Sequence, residues 1–574
     1  MLYKKLAEFY EEVSSTTKRL EKIEILSKFL KYIPESDKDV LYLLLGDIYP
    51  EYDERRIGIS NQLAIKAISK STGTEKDEII KEWKLIGDLG EVAEKLKKQK
   101  KQSTLHDSVL TTEKVIENLR KLPELEGKGS VNKKISLITE LLTSASPIGA
   151  LYLTRTLIGD LRIGLKESTI REAMASAFFK RDKETSKKIQ GAIDKSNDIG
   201  KVFEIARKGK IKSFDAVSLE IGKPIKAMLA QKVKTIADGF NALGKPCAIE
   251  YKYDGFRLII HKKNNEITLF TRRLEKVTNQ FPEVVDHVKK YVKSKTIILD
   301  SEAVGYDKKT KEYKPFQDIS QRIRRKYDIE KLQKELPVEI NVFDILYYNG
   351  KSLLQEPFEK RTAIIKKVLK NTKYKIIHAK QIITGNEEEA KRFYKKALQD
   401  NQEGIMMKNL KSGYNPGSRV GHMLKIKPEE RDYDLVITGA EYGTGRRSGW
   451  LSSFILSCYD KKNKKFLEMG KMGTGIKEKS TEKSDLNNIS FEELTKKLIP
   501  LIKKEKGKSV QVKPKIIISV TYQEIQKSKN YNSGFALRFP RFTALREDKP
   551  LSEITTLDEI KKDFNNQKRN YRYG

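Results

Sequence analysis

The chain has 574 residues, enough for about three domains of ordinary size. Lysine and arginine number 115 against 79 aspartates and glutamates, so the formal net charge is +36, which predicts a polyanionic partner and nucleic acid first. Two cysteines, Cys247 and Cys458, exclude a four-cysteine zinc site and a disulfide framework. The five histidines form no HExxH pair, which argues against a zinc hydrolase.

The sequence contains no apolar stretch near the ~18 residues that span a bilayer. Its first residues, MLYKKLAEFYEEV, lack the apolar core of a signal peptide, and its last, YRYG, are not a lipidation signal. We therefore expect a soluble, intracellular protein that works in the cytoplasm without membrane contact.

Residues 1–225 are predicted to be helical, because apolar residues recur there at three- and four-residue spacing. Examples are KISLITELLTSASPIGALYLTRTLIG (134–159) and KESTIREAMASAFFK (166–180). In the second segment, Thr169 followed by Glu172 reads as a capping box that starts a helix.

The pattern changes near Gly222, and from Cys247 short β-rich runs alternate with turns. With helical stretches such as FEKRTAIIKKVLK (358–370) between them, these runs predict an α+β domain with antiparallel sheets. A third block begins near Asp432, where short strands separated by glycine and lysine turns are typical of a small β-barrel. Two lysine-rich runs, 95–102 and 502–510, are predicted exposed loops, either solvated or tracking phosphates.

The segment EYKYDGFR (250–257) is the most informative in the chain. In a strand, Glu250 and Lys252 share a face, and Asp254-Gly255 would turn the chain into a second strand as a hairpin. Such a lysine is held on a rigid element. Its amine attacks only when neutral, and a nearby cation such as Arg257 or a metal ion would lower its pKa.

Further residues on predicted strands suit phosphoryl chemistry, in which carboxylates hold Mg²⁺, cations neutralise a triphosphate and a ring stacks on a base. They are Arg272, Asp300, Glu302, Phe343, Asp344, Glu403, Lys408, Arg419, Lys425 and Lys427, with Leu424 and Ile426 on the opposite face of the last strand. Each also has an ordinary structural interpretation. Phe343 could be plain core, the carboxylates could be salt-bridged, and the lysines could line an exposed strand face.

The order and spacing of these motifs resemble the ATP-dependent DNA ligases, closest to the archaeal and eukaryotic replicative type. ALRFPRF…REDK (536–549) is similar to the family's last motif, and GTGRRSGWLSSFILSCYD (443–460) to the opening of its OB-fold. GDLRIGLKESTIREAMA (159–175) resembles its helical DNA-binding domain. The resemblance implies an all-α DNA-binding domain (1–225), an α+β nucleotidyltransferase or adenylation domain (226–430) and a β-barrel OB-fold domain (431–574).

The resemblance also implies roles for individual residues. Lys252 would be the adenylated nucleophile. The remaining roles are adenine recognition (Glu250, Phe343), ribose or phosphate contact (Arg257, Arg272, Glu302), phosphate binding (Arg419, Lys425, Lys427), metal binding (Glu302, Glu403), orientation of pyrophosphate (Arg546, Lys549) and DNA contact (Arg162, Lys166).

The implied activity is the sealing of nicks in double-stranded DNA during replication, repair and recombination. ATP is the co-substrate and Mg²⁺ the cofactor, with Mn²⁺ as an alternative, and we expect a monomer associated with the nucleoid. A sliding clamp is a candidate partner without a clear motif, since QSTLH (102–106) has Leu105 and His106 where clamp-binding motifs carry paired aromatics.

Four alternative protein classes share some of these features. A guanylyltransferase that caps mRNA shares the lysine motif but has no need of a long helical domain. An NAD⁺-dependent ligase needs a four-cysteine module, which two cysteines exclude. A silent nucleic-acid scaffold explains the charge but not the site residues, and no GxxxxGK[ST] loop supports a P-loop ATPase.

Overall fold

The computed structural model describes residues 1–99, 110–325, 327–428, 431–443, 447, 449–478 and 489–573. These residues fold into two compact units, one of residues 1–397 and 402–426 and the other of residues 398–401 and 427–574. Both free cysteines are buried, and burial raises the pKa of the Cys247 thiol to about 11 and that of Cys458 to about 12. Both thiols are therefore core groups that stay protonated near neutral pH.

The first part of the larger unit is helical, as predicted. Its helices are α1 (Tyr3–Ser14), α2 (Arg19–Tyr32), α3 (Val40–Leu43), α4 (Asn61–Thr72), α5 (Lys76–Ile86), α6 (Leu89–Gln99), α7 (Thr112–Glu124), α8 (Ser130–Ser144), α9 (Pro147–Leu157), α10 (Glu167–Phe178), α11 (Lys183–Ser196) and α12 (Ile199–Arg207). Their apolar faces meet in one continuous core. The apolar run at 134–159 is divided at Ser146, whose hydroxyl caps α9 and precedes Pro147 in its first turn.

The capping box predicted at Thr169 is wrong. Helix α10 already begins at Glu167, and Thr169 is buried within its first turn. The sequence has the capping-box pattern, but the Glu172 carboxylate instead accepts hydrogen bonds from Arg171 and Ser186.

The second part of the larger unit mixes helices and strands. In chain order these are β1 (Leu229–Lys232), α13 (Ile236–Leu243), β2 (Cys247–Lys252), β3 (Phe256–Lys263), β4 (Glu266–Thr271), α14 (Pro282–Tyr291), β5 (Thr296–Tyr306), β6 (Tyr313–Lys314), α15 (Phe316–Ile319), α16 (Gln321–Arg324), α17 (Ile329–Glu335), β7 (Val338–Tyr348), β8 (Lys351–Ser352), α18 (Phe358–Val368), β9 (Ile376–His378), β10 (Gln381–Thr384), α19 (Glu387–Gln399), β11 (Gly404–Lys408) and β12 (Arg419–Ile426).

Two sheets organise this part. One has the strand order β1-β12-β11-β2-β10, and the other runs β4-β3-β5-β7-β8, with β6 on β5 and β9 on β7. Most pairs are antiparallel, but β1 pairs with β12 and β9 with β7 in parallel. Apolar layers lie between and outside the sheets.

The predicted hairpin at Asp254-Gly255 is wrong, because the chain there passes from one sheet to the other. β2 pairs with β10 and β11, whereas β3 pairs with β4 and β5. At Gly255 a Cβ atom would lie 2.3 Å from the carbonyl oxygen of Ala303 on β5. Glycine is therefore required by close approach of two backbones.

The smaller unit is rich in β-strands. Its elements are β13 (Arg431–Tyr442), β14 (Leu451–Asp460), β15 (Lys465–Met472), α20 (Phe491–Leu498), β16 (Ile502–Lys506), β17 (Ser509–Val512), β18 (Ile517–Tyr522), β19 (Glu524–Lys527), β20 (Phe535–Arg538), β21 (Arg541–Leu545) and α21 (Leu557–Tyr573). The main sheet runs β15-β14-β13-β17-β16, and β18 pairs with both β13 and β21. The predicted lysine-rich loop at 502–510 is instead the hairpin of β16 and β17.

Candidate active site

Strand register gathers several predicted residues on one face of the first sheet. Glu250 on β2 lies opposite Met406 on β11, which lies opposite Lys425 on β12. Residues directly opposite each other point to the same side, and Lys252 and Lys408 follow from the two-residue period. The other face holds Ile249, Leu424 and Ile426 in an apolar core, as predicted.

Lys252 ends β2 and has a carboxylate as its nearest partner. Its Nζ lies 2.6 Å from Oε2 of Glu403, and its carbonyl oxygen accepts the Glu403 N–H at 2.9 Å. The Lys252 side chain is 20% exposed, so a substrate can reach the amine. Arg257, the cation expected near this amine, is bound to Asp300, and the charges of Arg257 and Lys252 both act on Glu302.

Arg257 is held in a closed hydrogen-bond network. Its guanidinium forms a two-pronged ion pair with Asp300, with Nε 2.7 Å from Oδ1, and donates to the carbonyl oxygen of Met228 at 2.9 Å. The hydroxyl of Tyr414 donates to Asp300 at 2.7 Å and accepts from the Met228 N–H at 2.9 Å. This network fixes the guanidinium on β3 against β5 and the segment that enters β1.

Glu250 is fully buried and paired. Its Oε2 lies 2.7 Å from Nζ of Lys408, and its Oε1 accepts a hydrogen bond from the Gln381 amide at 2.8 Å. Burial raises the pKa of the Glu250 carboxyl, while Lys408 and Gln381 oppose that rise. Each carboxylate oxygen keeps lone-pair capacity to accept a hydrogen bond from a ligand.

Phe343 is half-buried at the edge of this cluster. Its ring centroid lies 4.8 Å from the Lys408 ammonium and 5.2 Å from the Arg257 guanidinium carbon. The next residue, Asp344, is buried and paired with Arg361, whose Nε lies 2.7 Å from Oδ1. The ring thus combines partial core packing with two cationic neighbours.

Glu302 on β5 lies within electrostatic range of both Lys252 and Glu403. Burial raises the pKa of its carboxyl to about 8, a rise that the charges of Lys252 and Arg257 oppose and that of Glu403 reinforces. A divalent cation would relieve both causes of the rise, because it supplies positive charge to two neighbouring carboxylates.

Glu302 and Glu403 therefore fit a Mg²⁺ ion that takes its other ligands from phosphates and water. Among the residues that the structure describes, no group of three His, Cys, Asp or Glu side chains is arranged as a metal site. The chain would supply part of a coordination shell only.

The remaining cations predicted for the nucleotide are more accessible. Arg272 follows β4 and Arg419 begins β12, and both side chains are exposed. Lys425 is half-buried on β12, and Lys427 follows the end of that strand. Lys425 shares the sheet face of Glu250, because both lie opposite Met406.

In the smaller unit, Arg546 and Lys549 converge on one acidic residue. Their nitrogens lie 2.9 and 2.6 Å from Oδ2 of Asp434, and Arg546 also binds Asp548 at 2.8 Å. The two cations of the last motif thus form one cluster with Asp434, a residue that sequence reasoning missed.

The two predicted DNA contacts differ in the helical part. Lys166 is exposed at the start of α10. Arg162 has a left-handed backbone (φ 59°) and binds Asp88 at 2.6 Å and Asp160 at 2.7 Å. Of these two residues, Arg162 has carboxylate partners and Lys166 forms no ion pair with any residue that the structure describes. The segment 102–106, compared with clamp-binding motifs, lies outside the described residues.

Sequence reasoning also missed Gln381 and Tyr414, and it included Asp300 and Lys408 in the set suited to phosphoryl chemistry without giving either an individual role. Gln381 reaches Glu250 because β10 pairs with β2, and Tyr414 reaches Asp300 from the loop before β12. Their sequence neighbours carry no sign of these pairings, which depend on contacts more than 100 positions apart.

Comparison with known proteins covers nearly the whole chain. Three family models match: "DNA ligase N terminus" over residues 2–175, "ATP dependent DNA ligase domain" over 227–427 and "ATP dependent DNA ligase C terminal region" over 447–549. A DNA ligase of Nanoarchaeum equitans is 43% identical over 568 residues, with 99% of each chain covered. A DNA ligase of Thermococcus onnurineus is 39% identical over 570 residues, again with 99% of each covered.

A solved structure described as Pmar-Lig_Pre. has a TM-score of 0.59 at 18% identity and covers 94% of this chain and 99% of its own. That likeness bears on the fold alone. No described helix combines the length and apolar character needed to cross a bilayer.

These findings define a ligase enzyme with a helical N-terminal domain and β-rich middle and C-terminal domains. The chain belongs to the family of ATP-dependent DNA ligases.

Proposed function

We propose that this chain seals nicks in duplex DNA through a covalent lysine–AMP intermediate and a 5′-adenylated DNA intermediate. The observation that carries the proposal is Lys252 itself, an accessible amine at the end of a rigid strand with the Glu403 carboxylate 2.6 Å away. Residues 226–430 would be the nucleotidyltransferase domain, flanked by a DNA-binding domain (1–225) and an OB-fold domain (431–574).

In the first step, the Lys252 Nζ attacks the α-phosphorus of ATP. A P–N bond forms, the bond to the pyrophosphate oxygen breaks, and Glu403 is the nearest acceptor for the ammonium proton. The product is a lysine–AMP phosphoramidate. Holding the amine on β2 lowers the entropy cost of the attack.

Recognition of the base falls to the buried cluster around Glu250. We infer that its carboxylate accepts a hydrogen bond from the adenine amino group, while Phe343 stacks on the ring. The ammonium of Lys408, 2.7 Å from Glu250, favours the ionised carboxylate, which can only accept hydrogen bonds. The adenine amino group can donate to it, whereas the carbonyl oxygen of guanine at the same position cannot.

The ribose would be contacted by Arg257, which Asp300 holds in place, and by the carboxylate of Glu302. The negative charge of the phosphates would be neutralised by other cations. The exposed and half-exposed group, Arg272, Arg419, Lys425 and Lys427, would bind phosphates, and Arg546 and Lys549 would orient the leaving pyrophosphate. Mg²⁺ bound by Glu302 and Glu403 would supply Lewis-acid stabilisation of the developing charge.

In the second step, the 5′-phosphate of the nick attacks the lysine–AMP phosphorus, and the P–N bond breaks. In the third, the 3′-hydroxyl attacks the activated 5′-phosphate, AMP leaves, and a phosphodiester remains. We place this activity in replication, repair and recombination of cellular DNA. The net charge of +36 supports backbone contacts without sequence preference, with Lys166 and Arg162 among them.

The test is incubation with α-labelled ATP, with α-labelled GTP and with NAD⁺ carrying its label in the adenylate, in turn, followed by nicked duplex. We expect covalent label from ATP, its transfer to the 5′-phosphate, and sealing. Lys252→Ala should abolish labelling, because no other amine lies at that position. A matched control is Lys411→Ala, which removes an exposed lysine paired with Glu359 at 2.7 Å and should leave labelling unchanged.

Each rival predicts another result. Labelling from GTP alone would indicate a capping guanylyltransferase, and labelling from NAD⁺ alone an NAD⁺-dependent ligase. DNA binding without any adduct would indicate a scaffold. Persistent labelling of the Lys252→Ala protein would mean that the nucleophile is another residue.

A further inference from the structure

Seven exposed lysines surround three tyrosines on the nucleotidyltransferase part of the chain. We call this region the lysine–tyrosine surface. It comprises Lys289, Lys290, Lys293, Lys311, Lys370, Lys373 and Lys375 with Tyr291, Tyr306 and Tyr374.

One half of this surface centres on Tyr291 at the end of α14. The Lys375 Nζ lies 3.1 Å from the Tyr291 hydroxyl and 5.5 Å from its ring centroid, and the Lys290 Nζ lies 5.6 Å from the same centroid. The Lys370 N–H donates to the Tyr291 carbonyl at 2.9 Å. The bond from Lys375 and the three lysine charges lower the pKa of the Tyr291 hydroxyl.

The other half centres on Tyr374, which has a left-handed backbone with φ 61°. Its ring lies 4.9 Å from that of Tyr306, and the ammonium groups of Lys311 and Lys373 each lie 5.0 Å from its centroid. Its N–H donates to the buried carboxylate of Glu339. Tyr374 therefore holds a fixed position and joins the two halves through the neighbouring Lys373 and Lys375.

The positive charge of this surface is not neutralised locally. None of the seven lysines forms an ion pair with any residue that the structure describes, whereas lysines on the outer faces of helices commonly do, as in Lys121–Glu117 at 2.6 Å. Residues 360–386 contain no aspartate or glutamate at all. Asp286 and Glu312 are the exposed acidic residues in the segments that carry the other lysines.

This surface is separate from the nucleotide site. Tyr291 and Val288 of α14 belong to the same apolar core as Leu258 of β3 and Leu299 of β5. Side chains alternate along a strand, so Arg257 and Glu302 point to the opposite face of the same sheet. The lysines of α14 therefore lie behind the sheet that carries the ribose-contacting residues.

We propose that the lysine–tyrosine surface is a second binding site for the sugar–phosphate backbone of duplex DNA, outside the segment that occupies the active site. Exposed lysines without carboxylate partners can contact phosphate oxygens without reading bases, and here the tyrosine rings lie against several of their ammonium groups. A lipid surface fits less well, because the apolar residues of these segments, Val292, Leu369 and Ile376, are buried in the core. The choice of DNA as the polyanion rests on the proposed function.

The experiment compares two full-length variants with equal charge changes. The surface variant carries Lys290→Gln, Lys370→Gln, Lys373→Gln and Lys375→Gln. The control variant neutralises four lysines of the same domain that have carboxylate partners: Lys331, Lys360, Lys391 and Lys411, paired at 4.0, 3.3, 3.2 and 2.7 Å. Binding to a nicked duplex with a dideoxy 3′ end is measured across a salt series.

For the surface variant, we expect the slope of log K against log salt to become shallower by about 3, with binding about tenfold weaker at moderate salt. The control variant should stay within about twofold of the unmodified chain. Equal slopes for the two variants would overturn the proposal and leave an acidic protein as the alternative partner. If the surface variant does not fold, the pairs Lys290→Gln/Lys370→Gln and Lys373→Gln/Lys375→Gln should each give about half the change in slope.

Self-adenylation with ATP in the absence of DNA separates this proposal from the proposed function. Both variants should be labelled like the unmodified chain, because the substituted lysines do not face the nucleotide. Failure of the unmodified chain to become labelled would contradict the proposed function, whereas normal labelling with equal salt slopes would contradict only the second DNA site.

Discussion

The two faces of the β3–β5–β7 sheet treat positive charge in opposite ways. On the face opposite α14, Arg257 is bound to Asp300, and Lys408 of the neighbouring sheet is bound to Glu250, so both cations lie within hydrogen-bond distance of buried carboxylates. On the face covered by α14, the lysines around Tyr291 and Tyr374 are exposed and form no ion pair with described residues. A small ligand needs each group held in one geometry, whereas a long polyanion needs charge that remains available.

This difference has an energetic counterpart. A buried ion pair costs desolvation that its attraction barely recovers, so it fixes orientation more than it adds stability. Exposed lysines cost little, contribute little to stability and attract anions over about a Debye length. The comparison can be tested by substitutions on each face.

The largest effect on stability is expected from Asp344→Asn. This change leaves the buried guanidinium of Arg361 without its charged partner and should cost about 3–5 kcal/mol. Scanning calorimetry should show the melting of this domain lowered by roughly 10 °C. Asp286→Asn, on the exposed face of α14, is the matched control and should shift melting little. A shift below 2–3 °C for Asp344→Asn, roughly that of about 1 kcal/mol, would mean that this ion pair is not isolated from solvent.

A smaller, pH-dependent effect is expected from Glu302→Gln in metal-free buffer. Below the unfolded pKa of about 4.3, both folded and unfolded chains keep the proton, so the substitution has no electrostatic effect. Between that value and a folded pKa of about 8, the unfolded chain releases a proton that the folded chain retains, so the unmodified protein loses stability as pH rises.

Glu302→Gln should therefore be the more stable protein at pH 8, by about 2 kcal/mol after allowance for solvent screening, and the gap should close towards pH 4. Thermal melting at several pH values measures it. A gap that is the same at pH 4 and pH 8 would show that folding does not raise the pKa of the Glu302 carboxyl.

The smallest effect is expected from Lys373→Gln on the lysine–tyrosine surface. Because its ammonium is exposed and its one close described contact is the ring of Tyr374, stability should change by less than about 0.5 kcal/mol. Chemical denaturation measures this change. The contrasting substitution is Lys408→Gln, which should cost more stability because it leaves the buried carboxylate of Glu250 without its cation. Equal losses from the two substitutions would remove the distinction between the faces.

The sequence predicted elements whose signal is local. The runs TIILDSEAVGY and VEINVFDILYY match β5 and β7, because alternation and β-branched residues mark both ends of each strand. The hairpin at Asp254-Gly255 was wrong because a turn dipeptide does not reveal which sheet the next strand joins. The packing of Gly255 against Ala303, 48 positions away, decides that.

The site shows the same limit. The motifs predicted Lys252, Glu250 and Glu403 as site residues, and in the structure these three lie close together on or next to the paired strands β2 and β11. The motifs could not show that Arg257 would be bound by Asp300 and Tyr414, because those contacts depend on strand pairing and on a loop 157 positions away. Gln381 was missed for the same reason.

Met228 lies beside Arg257, so its side chain can report on the position of that guanidinium. Its peptide N–H reaches the Tyr414 hydroxyl, its carbonyl reaches Arg257, and its sulfur accepts the Asn415 N–H at 3.3 Å. A ¹³C-labelled methyl group there would therefore give an NMR resonance sensitive to any reorientation of the arginine. This probe requires no amino-acid substitution. The ring of the buried Tyr414 lies close by, so its ring current should make the shift of the methyl resonance sensitive to small movements.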